Sequence, residues 1–262
     1  MTHTSLNPVG RQCLSFTVSG QWAHFRRIDT TTDKQTYSVI PRTTVAGLIG
    51  AILGKPRDSY YHLFAPDTSA IAIEPLEPVR TMQIPMLTLP TEKGDIKQAE
   101  HVSGKVVIDP AVIEEERKRR TFEYLLDPAY RVDVILEDTE TYENLKTALE
   151  TGTTVYTPAL GKTECLATVE CGSPDSETAT AEFDVHQVTD VERIDSIVPE
   201  SKLTPRPNTS YAMERTPAYM EQDGAHRRTT GFLSYGYSPA AEPLPVQNVS
   251  ATTVDGRTVC FM

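Results

Sequence analysis

The stretch Ser38-Val39-Ile40-Pro41-Arg42-Thr43-Thr44-Val45-Ala46-Gly47-Leu48-Ile49-Gly50-Ala51-Ile52-Leu53-Gly54-Lys55-Pro56 holds the clearest boundaries in the chain. Pro41 stops an extended segment and Thr43 or Thr44 is placed to N-cap a helix. Val45 to Leu53 fills that helix with apolar residues, and Gly54 with Pro56 ends it. Before it, Cys13 to Val18 alternates as a strand that stops at Ser19-Gly20. After it come a short helix around Asp58 to Phe64 and a strand at Ala70 to Ile73. Tyr130 to Leu136 alternates again, and Thr141 to Glu150 reads as an amphipathic helix closed near Gly152. Thr153 to Tyr156 and Cys165 to Val169 are two more expected strands, joined through Pro158-Ala159-Leu160-Gly161-Lys162.

The order is therefore strand, helix, strand, insertion, strand, helix, strand. It predicts an α+β fold with a ferredoxin-like (RRM-like) layer. Residues 1–172 form the expected main domain. Its insertion, at about 78–120, carries Pro85, Pro90, Gly94 and Gly104 and ends in a helical-looking basic run, Arg117-Lys118-Arg119-Arg120. A linker rich in Ser, Pro, Asp and Thr spans Gly172 to Thr180. Residues 180–262 read as a β-rich, loop-rich C-terminal region, with strand-like stretches at Val185 to Val198 and Thr252 to Phe261.

The 262 residues, 39% hydrophobic, suffice for one substantial core. The longest apolar stretch falls far below the roughly 20 residues that span a bilayer. Met1 to Arg11 lacks the apolar core of a secretory signal, so a cytoplasmic location is expected. Cys13, Cys165, Cys171 and Cys260 lack the close paired spacing of a zinc site or disulfide framework. No cofactor and no small-molecule substrate are expected. The net charge of −11 opposes a polyanionic partner at long range. Its acidic residues gather in Glu137 to Glu150 and Asp175 to Glu200, however, while basic residues cluster elsewhere. Acidic, threonine-rich and lysine-poor composition fits a halophilic protein, because about 1 M salt screens charge over about 3 Å. Retention of fold and solubility in dilute buffer would remove that explanation.

Several segments carry the chemistry of nucleic-acid binding. The Thr43-Thr44 helix start, beside Arg42, offers free amides and a partial positive charge to a phosphate. Gly47, Gly50 and Gly54 serve either a close approach by another backbone or tight packing on a sheet. The segment is no phosphate-binding loop of a nucleotide hydrolase, since Ile49 and Pro56 stand where that motif needs Gly and Ser or Thr. Trp22, His24, Phe25, Arg26 and Arg27 mix flat rings with guanidinium groups, as single-stranded RNA sites do. Trp22 and Phe25 fit a core equally well. Gly161-Lys162 suits a turn that either presents an ammonium to a phosphate or merely reverses the chain. Arg117-Lys118-Arg119-Arg120 either meets RNA or forms a solvated face balanced by Glu114-Glu115-Glu116. His226-Arg227-Arg228 is a second basic patch of open role.

Two segments together resemble the Cas-five family of CRISPR-associated proteins, particularly its type I-B members. The first is Phe16-x-Val18-x-Gly20, Ala23-x-Phe25-Arg26 and Tyr37-x-Val39-x-Pro41-x-Thr43-Thr44-x-x-Gly47-Leu48-Ile49. The second is Tyr156-x-Pro158-x-Leu160-Gly161-Lys162-x-Glu164-x-x-Ala167, supported by Tyr124-Leu125-x-x-Pro128-x-Tyr130-Arg131-Val132 and Glu214-Arg215-Thr216-Pro217. The resemblance implies a ferredoxin-like domain with an inserted thumb that holds the 5′ handle of a crRNA within a multisubunit Cascade. Its partners there would be the Cas-seven backbone subunit and a large Cas-eight-type subunit. The candidate RNA-binding residues are Trp22, His24, Arg26, Arg27, Tyr37, Arg42, Thr43, Thr44 and Lys162, with Arg117, Lys118, Arg119 and Arg120. Members of type I-C cut the crRNA precursor without metal, and Tyr37, His24 and Lys162 are the residues such chemistry would use here. His24, His62, His101, His186 and His226 all lack the adjacent lysine that the cutting members carry. A non-catalytic subunit is therefore expected. The alternatives are a metal-independent endoribonuclease and a protein-interaction module without nucleic-acid contact.

Overall fold

Residues 5–30, 33–88, 100–102, 105–107, 117–171, 185–188, 190, 192–200, 210–224 and 226–262 are described in the computed structural model. From the N-terminal side the chain forms β1 (Leu14–Ser19), β2 (Trp22–Ala23), α1 (Arg42–Ile52), β3 (Ser69–Pro75), β4 (Thr81–Thr88), β5 (Glu100–Val102) and β6 (Lys105–Val107). Next come β7 (Lys118–Leu126), β8 (Ala129–Leu136), α2 (Thr139–Thr151) and β9 (Thr168–Cys171). The remainder is β10 (Val185–Val188), β11 (Glu192–Ile194), β12 (Val198–Pro199), β13 (Ala212–Asp223), β14 (His226–Tyr237), β15 (Leu244–Val246), β16 (Val249–Val254) and β17 (Arg257–Val259). The result is a strand-rich α+β molecule with several antiparallel sheets. Among the described residues no helix is long and apolar enough to cross a membrane.

The central sheet has the order β3-β8-β1-β9, and all its neighbours are antiparallel. Period-two alternation divides its side chains between two faces. Leu14, Phe16 and Val18 of β1, Ile71 and Ile73 of β3, and Val132 and Val134 of β8 share one core with both helices. Helix α1 adds Val45, Leu48, Ile49 and Ile52, spaced by three and four residues, and α2 adds Tyr142, Leu145 and Leu149. Ala70, Ala72 and Ile135 point to the other face, where Val254 and Val259 cover them. Burial on both faces explains the nearly unbroken apolar runs of β3 and β8. On that second face Arg257 bonds Asp133 at 2.8 and 3.0 Å and Glu74 at 3.0 Å, tying β17 to the sheet.

A second sheet, β2-β7-β4, is built around a ribbon in which β4 and β7 pair from Thr81↔Leu125 to Thr88↔Lys118. The C-terminal strands β13 and β14 form a long hairpin from Ala212↔Tyr237 to Asp223↔His226. Its Tyr235 and Tyr237 join the main core. Glu214 locks the hairpin to the segment before α1, accepting bonds from the Ser38 and Val39 amides and the Tyr235 hydroxyl at 3.0–3.4 Å.

Several expectations differ from this arrangement. Helix α1 begins at Arg42 behind an N-cap Pro41, with no side-chain cap, so neither Thr43 nor Thr44 caps it. Only Tyr61–Phe64 of the expected short helix is helical, as one 3-10 turn. Thr153 to Tyr156 is not a strand: the amides of Val155 and Tyr156 bond the Ile52 and Ala51 carbonyls, satisfying acceptors left open at the end of α1. Lys118-Arg119-Arg120 starts a strand rather than ending a helix, because its cross-strand partners on β4 outweigh a helix-like charge pattern. The long β13–β14 hairpin lies where the sequence was read as loop-rich. Glu114 to Glu116 and the linker at Gly172 to Thr180 lie outside the described residues.

Candidate nucleic-acid interface

An open cleft of about 370 Å³ is lined by His24, Phe25, Arg26, Tyr37, Pro41, Thr43, Thr44, Phe122, Gly161, Lys162 and Pro217. Five separate segments meet there. Residues 25–27 pair with 35–37 through Arg27 N to Gln35 O at 2.9 Å and Tyr37 N to Phe25 O at 2.8 Å. This brings Arg26 and Tyr37 beside the first turn of α1. The polar loop then joins β7, with Lys34 N donating to Thr121 O and Glu123 N to Lys34 O. Gly161 sits at φ +92, and a Cβ there would lie 2.1 Å from the His24 carbonyl oxygen. Only glycine permits this approach, which delivers Lys162 to the cleft.

Lys162 lies 4.3 Å over the Phe122 ring, donates to the Tyr124 hydroxyl at 2.9 Å and pairs with Glu164. Burial alone would lower its pKa, but the bonds to Glu164 and Tyr124 outweigh burial and raise it, so the ammonium stays charged. Beside it Arg26 is exposed. The Lys34 ammonium has its pKa lowered by desolvation and by the nearby charges of Arg26 and Arg120, so this small basic cluster lies beside β7. Sequence reading missed Lys34 and Phe122. Lys34 stands alone in a polar loop, and only the loop's pairing with β7 gives it basic neighbours. Phe122 alternates with Arg120 and Tyr124 on β7, which was a readable signal once that segment is taken as a strand.

His24 is 2% exposed. Its Nδ1 donates to the Glu123 carbonyl at 2.7 Å, which leaves Nε2 without a proton, and Nε2 is buried without a partner. Burial lowers its pKa, with Lys162 and Arg26 acting in the same direction, so the ring is neutral near pH 7. The cleft thus combines the Arg26 and Lys162 cations, aromatic walls, the first turn of α1 and a buried neutral imidazole.

A family model described as CRISPR-associated protein (Cas_Cas5) matches residues 13–195, well over half of the chain. The chain belongs to the Cas-five family. Among solved structures this Cas-five chain is similar to one titled as a CRISPR protein from Archaeoglobus fulgidus. The likeness has a TM-score of 0.50 at 13% identity and covers 94% of this chain and 98% of that one. A chain from a structure titled "CRISPR RNA-guided surveillance complex" aligns at TM-score 0.49 and 13% identity, covering 91% of both chains. No curated protein sequence matches.

The remaining sequence candidates of the Cas-five chain divide clearly. His24, Arg26, Tyr37, Thr43, Thr44 and Lys162 line the one cleft. Arg42 does not, and its expected phosphate contact is corrected by the structure. The residue is 2% exposed, and its guanidinium donates to Met262 O, Phe64 O, Ser69 O and Ser69 Oγ. The charge is spent inside the fold, where burial draws its pKa down to about 10. Arg27 pairs with Asp29 at 3.1 Å and lies 5.5 Å over the Tyr37 ring, outside the cleft lining. Trp22 packs its ring edge-on to Tyr124 at 6.0 Å. Arg117, Lys118 and Arg119 are exposed at the far end of the β4–β7 ribbon, and Arg120 alternates towards the Lys34 cluster. Gly47 and Gly50 are filled by Tyr60, whose ring would lie 3.1 Å from a Cβ at Gly50. They serve packing within the protein.

Proposed function

We propose that this Cas-five chain is the non-catalytic RNA-binding subunit of a type I-B CRISPR effector complex. It holds the 5′ handle of the crRNA in the cleft and contacts the Cas-seven backbone and the large Cas-eight-type subunit. In this reading residues 1–172 are a ferredoxin-like domain carrying a thumb at about 78–120, and residues 180–262 are a β-rich extension. The β-α-β-β-α-β order of β1, α1, β3, β8, α2 and β9 supports the ferredoxin-like reading. The observation that carries the function is the convergence of Arg26, Lys162 and the start of α1 on one cleft of a chain whose net charge is −11. Random placement of cations on so acidic a chain would not concentrate them. A polyanionic strand is the ligand that such a concentration serves.

The test is loss of guide RNA from the assembled complex after Arg26→Ala with Lys162→Ala. Each phosphate contact removed lowers the salt slope of single-strand binding by about 0.7. A fall in affinity of about tenfold or more, with a shallower slope, is expected. Unchanged affinity and slope would refute the assignment.

A second reading, metal-independent cleavage of the crRNA precursor, is favoured by His24, Tyr37 and Lys162 lining the same cleft. Against it, the His24 Nε2 that would take a 2′-hydroxyl proton has essentially no exposed surface, and Lys162 is engaged by Glu164 and Tyr124. Incubation with repeat RNA decides between the two, and a discrete cut abolished by His24→Ala would establish the enzyme.

A further inference from the structure

The hairpin of β13 and β14 buries one face and exposes the other. Thr216 and Tyr235, 1% exposed each, point inward with Glu214. By alternation Met213 and Arg215 share the opposite face with Ser234 and Phe232, while Pro217, the cross-strand partner of Phe232, is buried next to a bulge in the pairing. Phe232 is 40% and Met213 44% exposed, large apolar surfaces on a strand pair that had buried positions available. The Arg215 guanidinium lies 4.5 Å over the Phe232 ring. This stripe is continuous with the cleft, because Pro217 lines the cleft and is the direct partner of Phe232 across the hairpin. The Pro217 carbonyl also accepts from Thr43 Oγ1, in the first turn of α1, at 3.5 Å. The cleft and the exposed ring therefore border the two members of a single cross-strand pair.

We infer that Phe232 and Arg215 form a base-stacking subsite for an unpaired nucleobase of single-stranded RNA whose backbone lies in the neighbouring cleft. This rests on the RNA-binding reading of the cleft and extends it to a second location. A ring under a guanidinium offers a base both a π surface and a positive charge, the two features that unstacked RNA bases use. Stacking here tolerates sequence, since every base has a π face. The subsite therefore adds grip on the strand rather than a sequence requirement. Its cation matches the polyanion bound next door.

The experiment measures binding of the full chain to single-stranded RNAs carrying the repeat-derived 5′ segment, with one abasic position moved along the strand. Phe232→Ala is expected to weaken binding of intact RNA by about tenfold, the loss of one stacked base. Phe232→Trp is expected to restore it. One abasic position should weaken binding to the unmodified chain equally and add nothing further in Phe232→Ala, since both remove the same contact. The inference is overturned if Phe232→Ala leaves RNA affinity intact, or if its effect simply adds to that of every abasic position. It is also overturned if Phe232→Ala blocks assembly with other effector subunits while RNA affinity stays unchanged, because the face then belongs to a protein. Absence of any RNA binding by the unmodified chain would remove both this subsite and the cleft reading. Normal RNA binding that ignores Phe232 would remove the subsite alone.

Discussion

The Arg42 guanidinium gathers three backbone carbonyls and the Ser69 hydroxyl into one buried cluster, linking the start of α1 to Phe64, Ser69 and Met262. An arginine here does what no neutral residue can, since its planar fork supplies several donors at once. Removing it leaves buried acceptors unpaired, and each such group costs about 1–3 kcal/mol. Arg42→Ala should therefore lower folding stability by about 3 kcal/mol or more, measured by denaturant unfolding. Arg42→Lys should recover only part, because an ammonium cannot reproduce the fork. A loss below about 1 kcal/mol would contradict the structural role. From the sequence, this arginine next to a helix start was indistinguishable from a phosphate ligand. Burial is a property of the surrounding elements, and nothing in the residues beside Arg42 reports it.

At the scale of elements, the turn at Gly161-Lys162 connects α2 to β9 and closes the cleft by pressing against the segment that follows β2. Gly161→Ala would place a Cβ against the His24 carbonyl and force an L residue into left-handed backbone, a strain of about 1–2 kcal/mol before the clash is counted. The turn must shift, and Lys162 with it. Gly161→Ala should lower both melting temperature and RNA affinity, whereas Gly152→Ala, with nothing within 4 Å of its Cβ position, should lower melting temperature but spare RNA affinity. Comparison of the two variants by thermal unfolding and RNA titration checks this. Equal RNA affinity in both would show that the turn does not position Lys162. The helices were legible in sequence because periodic apolar positions at Val45, Leu48, Ile49 and Ile52 record one buried face. The β13–β14 hairpin was not, since Pro217 lies within it and Arg215, Glu214 and Arg228 dilute its apolar pattern. Its outer face is wet over much of its length, so only its inner residues carry the signal.

Across the whole molecule, Glu214 is the carboxylate that fixes the C-terminal hairpin to the loop ahead of α1. Its pKa is raised, mainly because burial disfavours the ionised form, against the opposing bonds from Ser38, Tyr235 and Val39. A carboxylate with a raised folded pKa binds its proton more tightly in the native state. Its contribution to stability is full below the ordinary glutamate range and is lost as pH rises through the folded value. The stability of the wild type relative to Glu214→Gln should therefore fall as pH rises from the ordinary glutamate range towards neutrality, followed by thermal unfolding of both chains. A difference that is flat or grows over that interval would show that Glu214 is not perturbed by burial.

The sequence by itself determined the alternation of helices and strands in the main layer and the family, because local periodicity and short motifs survive without knowledge of distant partners. It also singled out Arg26, Lys162, Thr43 and Thr44. Tertiary structure alone decided that these four meet, that Arg42 is buried, that Phe122 belongs with them and that Lys34 pairs with β7. Residues 24, 122, 162 and 217 come together through sheet pairing and loop closure over long separations, and such contacts leave no trace in the residues next to each one.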